Sequence, residues 1–125
     1  MTYKPTRKEC ISIFRLVNLL ALNSEVIEPK FKFPSAKTMT GAWGYADFPK
    51  GTSGIIELCK EYPTYILFVK VLIHEIGHLW VWYVKRNRKE THGPIFKEYC
   101  ELIEARFGIS VLDVPWKNSL TGDKD

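Results

Sequence analysis

The chain has 125 residues, of which 46% are hydrophobic, and it carries a formal net charge of +4. A chain of this length and composition is expected to bury one hydrophobic core, which excludes division into several domains. We therefore predict a single domain over residues 1–125, with a loosely ordered tail at 117–125.

The cysteines and the N-terminal residues bear on the compartment of the protein. Cys10, Cys59 and Cys100 are each isolated in the sequence, so no CxxC pair is present. We expect them to be small core or partly exposed residues rather than ligands or nucleophiles. The first residues lack the charged, apolar and small-residue succession of a signal peptide. We therefore expect an intracellular protein, either cytoplasmic or associated with the nucleoid or nucleus.

The first half of the chain predicts one helix and three short strands. The helix covers 6–23, where apolar residues form a broad face. The strands lie at 30–33, 40–48 and 54–59, each bounded by Pro, Gly or Ser. Residues 49–53 link the last two strands as a hairpin loop. A helix, then strands, then further helices indicate an α+β fold with a small three-stranded antiparallel sheet.

Residues 65–84 form an apolar run that has the length of a membrane span. Ionisable residues interrupt its centre, and each charge there would cost about 2.5 to 3.5 kcal/mol in lipid. We therefore predict a buried core helix and no membrane partner. The helix begins after Pro63, with Thr64 as its N-cap, and frays near 85–87.

An HExxH motif lies inside this helix, and His92 is the remaining one of the three histidines. Residues four apart on a helix share a face, so His74 and His78 can present ring nitrogens to one ion at about 2.0 to 2.1 Å. A third histidine leaves the fourth tetrahedral position to water, as in catalytic zinc sites. Glu75 is placed to take a proton from that water. The motif predicts one catalytic Zn²⁺ and a general base.

The third ligand has two alternatives. The segment after His78 is long enough to bring His92 back to the metal. Glu98 lies at a separation similar to that of thermolysin-like enzymes, with Glu101 and Glu104 as further candidates. The solvent face of an amphipathic helix also accounts for these three carboxylates. We favour His92 and keep Glu98 as the alternative.

The last predicted element is a helix that follows His92. Pro94 suits its first turn, and Gly108 suits its end. Its apolar stripe consists of Ile95, Phe96, Tyr99, Leu102, Ile103 and Phe107.

The segment between the motif and His92 is aromatic and then basic. For Trp80 and Trp82 we expect core packing rather than a substrate pocket or a base-stacking platform. Two interpretations of the basic run stay open: contact with DNA phosphates, or a solvated helix end that complements the helix dipole. The basic residues are Lys85, Arg86, Arg88 and Lys89.

Four segments in order, 40–44, 54–58, 72–78 and 92–97, resemble the SprT-like zinc metalloprotease family over residues 38–100. They match its two strands, its HExxH helix and its His-Gly segment. The resemblance is to a Spartan-like catalytic domain without the C-terminal zinc ribbon of many members.

This resemblance implies a zinc-dependent protease that in several members acts on proteins bound or crosslinked to DNA. It also implies His74, His78 and His92 as metal ligands and Glu75 as the catalytic base. The missing CxxC pairs leave DNA targeting open.

We therefore predict a minimal zincin, with an N-terminal helix, a small sheet, the HExxH helix and a C-terminal helix. The expected activity is zinc-dependent hydrolysis of peptide bonds in protein or peptide substrates, with single-stranded or damaged DNA as a further partner. Two alternatives remain. One is a basic nucleic-acid-binding or regulatory module with a structural or vestigial zinc site, and the other is a gluzincin-type peptidase that uses Glu98.

Overall fold

The computed structural model describes residues 2–35, 39 and 41–114. Within them, three helices and a three-stranded sheet form an α+β fold, as the order of elements predicted. The elements are α1 (Arg7–Ala21), β1 (Lys30–Lys32), β2 (Gly44–Asp47), β3 (Ile55–Leu58), α2 (Tyr65–Leu79) and α3 (Pro94–Phe107). The predicted tail at 117–125 and Thr40, where the second predicted strand begins, lie outside the described residues.

Local signals account for both ends of α1. Thr6 and Glu9 form a capping box, in which the Thr6 hydroxyl accepts from the Glu9 N–H at 3.2 Å and the Glu9 carboxylate accepts from the Thr6 N–H at 3.0 Å. The helix ends at Ala21, earlier than predicted, because Asn23 and Ser24 adopt φ angles of 52° and 57°. Residues with positive φ leave the right-handed helical region and turn the chain towards the sheet.

The sheet has the strand order β1-β3-β2 and is mixed. β2 and β3 are antiparallel, as expected for a hairpin, but β1 runs parallel to β3. The prediction of a wholly antiparallel sheet was therefore wrong. The reason is the long connection after β1, which carries the chain past the centre of the sheet to its far edge. β3 then returns between the two earlier strands, in the same direction as β1, and its Ile56 and Leu58 are fully buried.

α2 is the core helix that the apolar run predicts, and it contacts α1, α3, β2 and β3. Thr64 caps its start by accepting from the Leu67 N–H at 3.2 Å. The helix continues through a π-helical segment, Trp80–Val84. By length and composition, Tyr65–Val84 could cross a membrane, with a mean hydropathy of 1.3, but 61% of its apolar window is buried inside the protein. This burial agrees with the predicted core helix.

α3 begins and ends where the sequence indicates. Pro94 lies in its first turn, where the missing N–H is of no consequence. Gly108 ends the helix in the left-handed conformation, with φ 72°, which a residue with a side chain rarely adopts. The helix returns across α2, so the segment that precedes it lies next to the HExxH motif.

Candidate metal centre

Three histidine rings from two parts of the chain converge on one point. His74 and His78 lie one turn apart on α2, and His92 lies in the loop just before α3. The His74 Nε2 atom is 3.3 Å from the Nε2 of His78 and 3.1 Å from the Nε2 of His92. The ligand atoms of the three residues all lie within 4.8 Å of one another, so the group could hold a metal ion.

The spacing of these nitrogens fits a tetrahedral zinc ion. Two ligands at about 2.0 to 2.1 Å from a tetrahedral centre are about 3.3 to 3.4 Å apart. The observed separations from His74 are 3.3 and 3.1 Å. Nitrogen is also an ordinary zinc donor, so the residues present suit the ion.

His74 is held in the form that a metal ligand requires. Its Nδ1 atom lies 2.6 Å from the carbonyl oxygen of Val111, in the segment after α3. A carbonyl oxygen only accepts, so Nδ1 carries the proton and donates it. In the neutral ring this leaves the Nε2 lone pair directed at His78 and His92. His74 is fully buried, which fixes the ring in place.

The surroundings of His78 favour its neutral form. Burial, and to a smaller degree the neighbouring rings of His74 and His92, lowers its pKa to about 3. Desolvation disfavours the charged imidazolium, and so do other rings that could be protonated. A neutral ring keeps a lone pair for a metal.

Phe96 supports all three histidines, a role that sequence reasoning missed. Its ring lies 4.9 Å from His74, 4.6 Å from His78 and 4.9 Å from His92, measured between ring centroids. The sequence placed Phe96 only in an apolar stripe. The available signal was its position in the first turn of the helix that follows His92.

Gly77, inside the motif, lets α3 approach α2 closely. A Cβ atom at this position would lie 2.5 Å from the Tyr99 ring and 2.8 Å from the Phe96 ring. The Tyr99 hydroxyl also donates to the carbonyl oxygen of Ile73 at 2.6 Å. α3 is therefore fixed against the turn of α2 that carries His74 and His78.

Glu75 lies beside His74 in a buried position between α2 and β2. Its side chain is on the β2 side of α2, because a Cβ atom on Gly44 would lie 3.3 Å from the Glu75 Cγ. Only 1% of Glu75 is exposed. Glycine at position 44 thus brings the β2 backbone next to the carboxylate.

The alternative ligands lie elsewhere. Glu98, Glu101 and Glu104 are exposed on α3, as the amphipathic pattern predicted, and none belongs to the histidine group. The three cysteines are free and buried. Burial raises the pKa of Cys10 and of Cys100 to about 12, so neither is a thiolate at neutral pH.

The aromatic and basic segment after the motif borders the histidines. Trp80 is buried, as predicted, whereas Trp82 is half-buried and stacks on Phe48 at 4.3 Å. The Arg88 guanidinium lies 5.1 Å from the Trp82 ring. Both residues line a cavity of about 160 Å³, and His78 lines it too. The core-packing prediction is therefore incomplete for Trp82, which also faces this cavity.

The basic side chains of the same segment point outward. Lys85 lies over the Trp80 ring at 4.8 Å, and Lys89 lines the cavity beside His78. All four predicted nucleic-acid contacts are exposed, namely Lys85, Arg86, Arg88 and Lys89. Their contact with DNA stays a prediction.

Fold and site together define an α+β protein with an HExxH core helix and a three-histidine group that could bind a metal. The chain belongs to the SprT-like family, because the family model matches residues 11–115, most of its length. A search of curated proteins found no match.

Proposed function

We propose that this protein is a zinc-dependent peptidase that hydrolyses peptide bonds in protein substrates. One observation carries the proposal: three histidine Nε2 atoms converge, and a buried glutamate follows the first of them on the same helix. Membership of the SprT-like family supports the same function. A purely structural zinc site has no use for a general base next to its ligands.

The side chains of this chain divide the chemistry between them. His74, His78 and His92 would hold the zinc ion through their Nε2 atoms, with the Val111 carbonyl fixing the proton of His74 on the far nitrogen. The ion would act as a Lewis acid towards the scissile carbonyl and lower the pKa of a water molecule. Glu75 would take the proton of the attacking water and deliver it to the leaving amine.

β2 is the strand that we propose pairs with an extended substrate. It is an edge of the sheet among the described residues. The Cys59 N–H donates to the Trp43 carbonyl at 3.3 Å, and Gly44 stands opposite Leu58. Along an antiparallel pair, the N–H and C=O groups of alternate residues face the partner strand. Trp43 faces β3, so the N–H and C=O groups of Gly44 and Ala46 point away from it.

This orientation supports substrate binding beside Glu75. A peptide that pairs with Gly44 and Ala46 by main-chain hydrogen bonds would add a strand to the sheet. Its backbone would run next to α2, since a Cβ on Gly44 would already contact Val71 and Glu75. Such pairing uses only main-chain atoms, so any preference for particular substrate side chains would come from the neighbouring cavities.

Metal removal tests the proposed activity. We expect the zinc-loaded protein to cleave an unfolded substrate such as casein, to lose this activity on chelation, and to regain it when zinc is restored. The product bands on a gel provide the measurement. A protein that binds one zinc ion but cleaves neither casein nor a DNA-bound protein would favour the alternative of a regulatory module with a structural zinc site.

We further propose that the basic segment brings DNA-bound proteins to the site. Its four exposed cations lie directly after the π-helical segment, and Arg88 and Lys89 line the cavity shared with His78. Phosphates bound there would hold a substrate close to the histidines.

Salt dependence tests this second proposal. On single-stranded DNA we expect log Kd to depend on log salt with a slope of about 0.7 per phosphate contact, and DNA should stimulate cleavage of bound proteins. Changing Lys85, Arg86, Arg88 and Lys89 to Ser should flatten the slope and remove the stimulation while zinc content stays unchanged. A matched control changes Lys8, Lys30, Lys32 and Lys60, which are exposed elsewhere. No affinity for DNA at about 50 mM salt would contradict the proposal.

A further inference from the structure

The loop that carries His92 needs a fixed shape, because this histidine is the one member of the group that lies outside α2. The residue that follows it, Gly93, is the N-cap of α3 and has no side chain to bond the free N–H groups of the first turn. Water or another part of the chain must therefore accept hydrogen bonds from these groups.

Glu90 takes the place of the missing cap. Its Oε1 atom accepts the Phe96 N–H at 2.9 Å, in the first turn of α3. Its side chain lies against Gly93, where a Cβ atom would come within 2.9 Å of the Glu90 carboxylate. Glu90 thus precedes His92 in the sequence and bonds Phe96, which follows it.

Asn87 ties the same carboxylate to the other end of the loop. The Asn87 side chain donates to Glu90 Oε2 at 3.4 Å, and its Oδ1 atom accepts the Lys89 N–H at 2.9 Å and the Glu90 N–H at 3.1 Å. The Asn87 N–H donates to the Val81 carbonyl at 3.0 Å. A chain of hydrogen bonds therefore runs from the end of the HExxH helix to the start of α3.

This chain of hydrogen bonds joins the residues before His92 to the residues after it. His92 lies between Glu90 and Phe96 in the sequence, and the Phe96 ring contacts it at 4.9 Å between centroids. The N–H of Phe96 is the group that Glu90 bonds. Phe96 is thus held by Glu90 through its backbone N–H, and its ring supports His92.

We propose that Glu90 is a positioning residue that holds His92 in place for metal binding. The inference rests on the metal-binding part of the proposed function, not on peptidase activity. Glu90 acts as a hydrogen-bond acceptor for α3, so its role depends on the position and acceptor capacity of its oxygen atoms rather than on charge alone.

Zinc affinity, measured by competition with a chromophoric chelator, tests this role. We expect Glu90→Ala to weaken zinc binding roughly 10- to 100-fold, as the loss of groups that orient metal ligands does elsewhere. Glu90→Gln should weaken zinc binding less than Glu90→Ala, because its amide oxygen still accepts the Phe96 N–H, and only the bond from Asn87 is lost. Glu98→Ala is the matched control, an exposed carboxylate on α3 whose loss should leave affinity unchanged.

A double-mutant cycle separates positioning from a general effect on the fold. If Glu90 acts through His92, adding Glu90→Ala to His92→Ala should cause no further loss of zinc affinity. An equal loss in both backgrounds would overturn the proposal, as would equal losses for Glu90→Ala and Glu90→Gln.

Two further outcomes are distinguishable. If the wild-type protein binds no zinc, the proposed metal site itself is overturned. If the wild-type protein binds zinc and Glu90→Ala binds it with the same affinity, only the role of Glu90 is overturned. If circular dichroism shows that Glu90→Ala does not fold, Glu90→Asp replaces it. Aspartate keeps the charge but is one methylene shorter, so the proposal expects weaker zinc binding, and wild-type affinity would contradict it.

Discussion

Replacing Glu75 with glutamine should lower peptidase activity about 10²- to 10⁴-fold, the usual contribution of a general base. This corresponds to about 2.7 to 5.4 kcal/mol of transition-state stabilisation. The amide has nearly the same shape as the carboxylate, so it fits the buried space beside Gly44. It cannot accept the proton of the attacking water, which is the reason for the loss.

Casein cleavage at matched zinc content measures this effect. Zinc stoichiometry and the thermal unfolding temperature should stay at wild-type values, since Glu75 is not one of the three histidine ligands. Glu98→Gln is the control for loss of a carboxylate, because Glu98 is exposed on α3. Unchanged kcat/KM in Glu75→Gln would remove Glu75 from the mechanism.

The second large effect concerns the third ligand. His92→Ala should weaken zinc binding by more than the roughly 10- to 100-fold that loss of a supporting hydrogen bond costs, because a direct donor disappears. Glu98→Ala should have no effect, since that carboxylate is exposed and lies outside the histidine group.

Chelator competition on the purified variants measures both affinities. Circular dichroism checks that each variant keeps its helices. If Glu98→Ala releases the metal and His92→Ala retains it, the gluzincin alternative replaces the three-histidine assignment.

Local signals in the sequence predicted the helices well. Thr64, Pro94 and Gly108 each act within about one turn of their own position, so their effect is visible without the fold. The direction of β1 was predicted wrongly, because the strand that a three-residue segment pairs with depends on the whole chain path. Short strands carry no sequence signal for parallel or antiparallel pairing.

In the candidate site, too, local features were predicted from the sequence and long-range contacts were not. The spacing of His74 and His78 on one helix was readable from the sequence, because it depends only on helical geometry. Val111, which orients His74, is 37 residues away, so only the fold brings the two together. Phe96 was predicted only as a member of an apolar stripe and Glu90 was not singled out, since their contacts near His92 depend on how α3 packs.

We assign one zinc ion to His74, His78 and His92. X-ray absorption at the zinc edge, on protein loaded with one equivalent of zinc, tests this assignment most directly. We expect three histidine nitrogens at about 2.0 to 2.1 Å with one further light-atom ligand, and a first shell that loses one histidine in His92→Ala. Sulfur at about 2.3 Å, or a first shell that His92→Ala leaves unchanged, would contradict it.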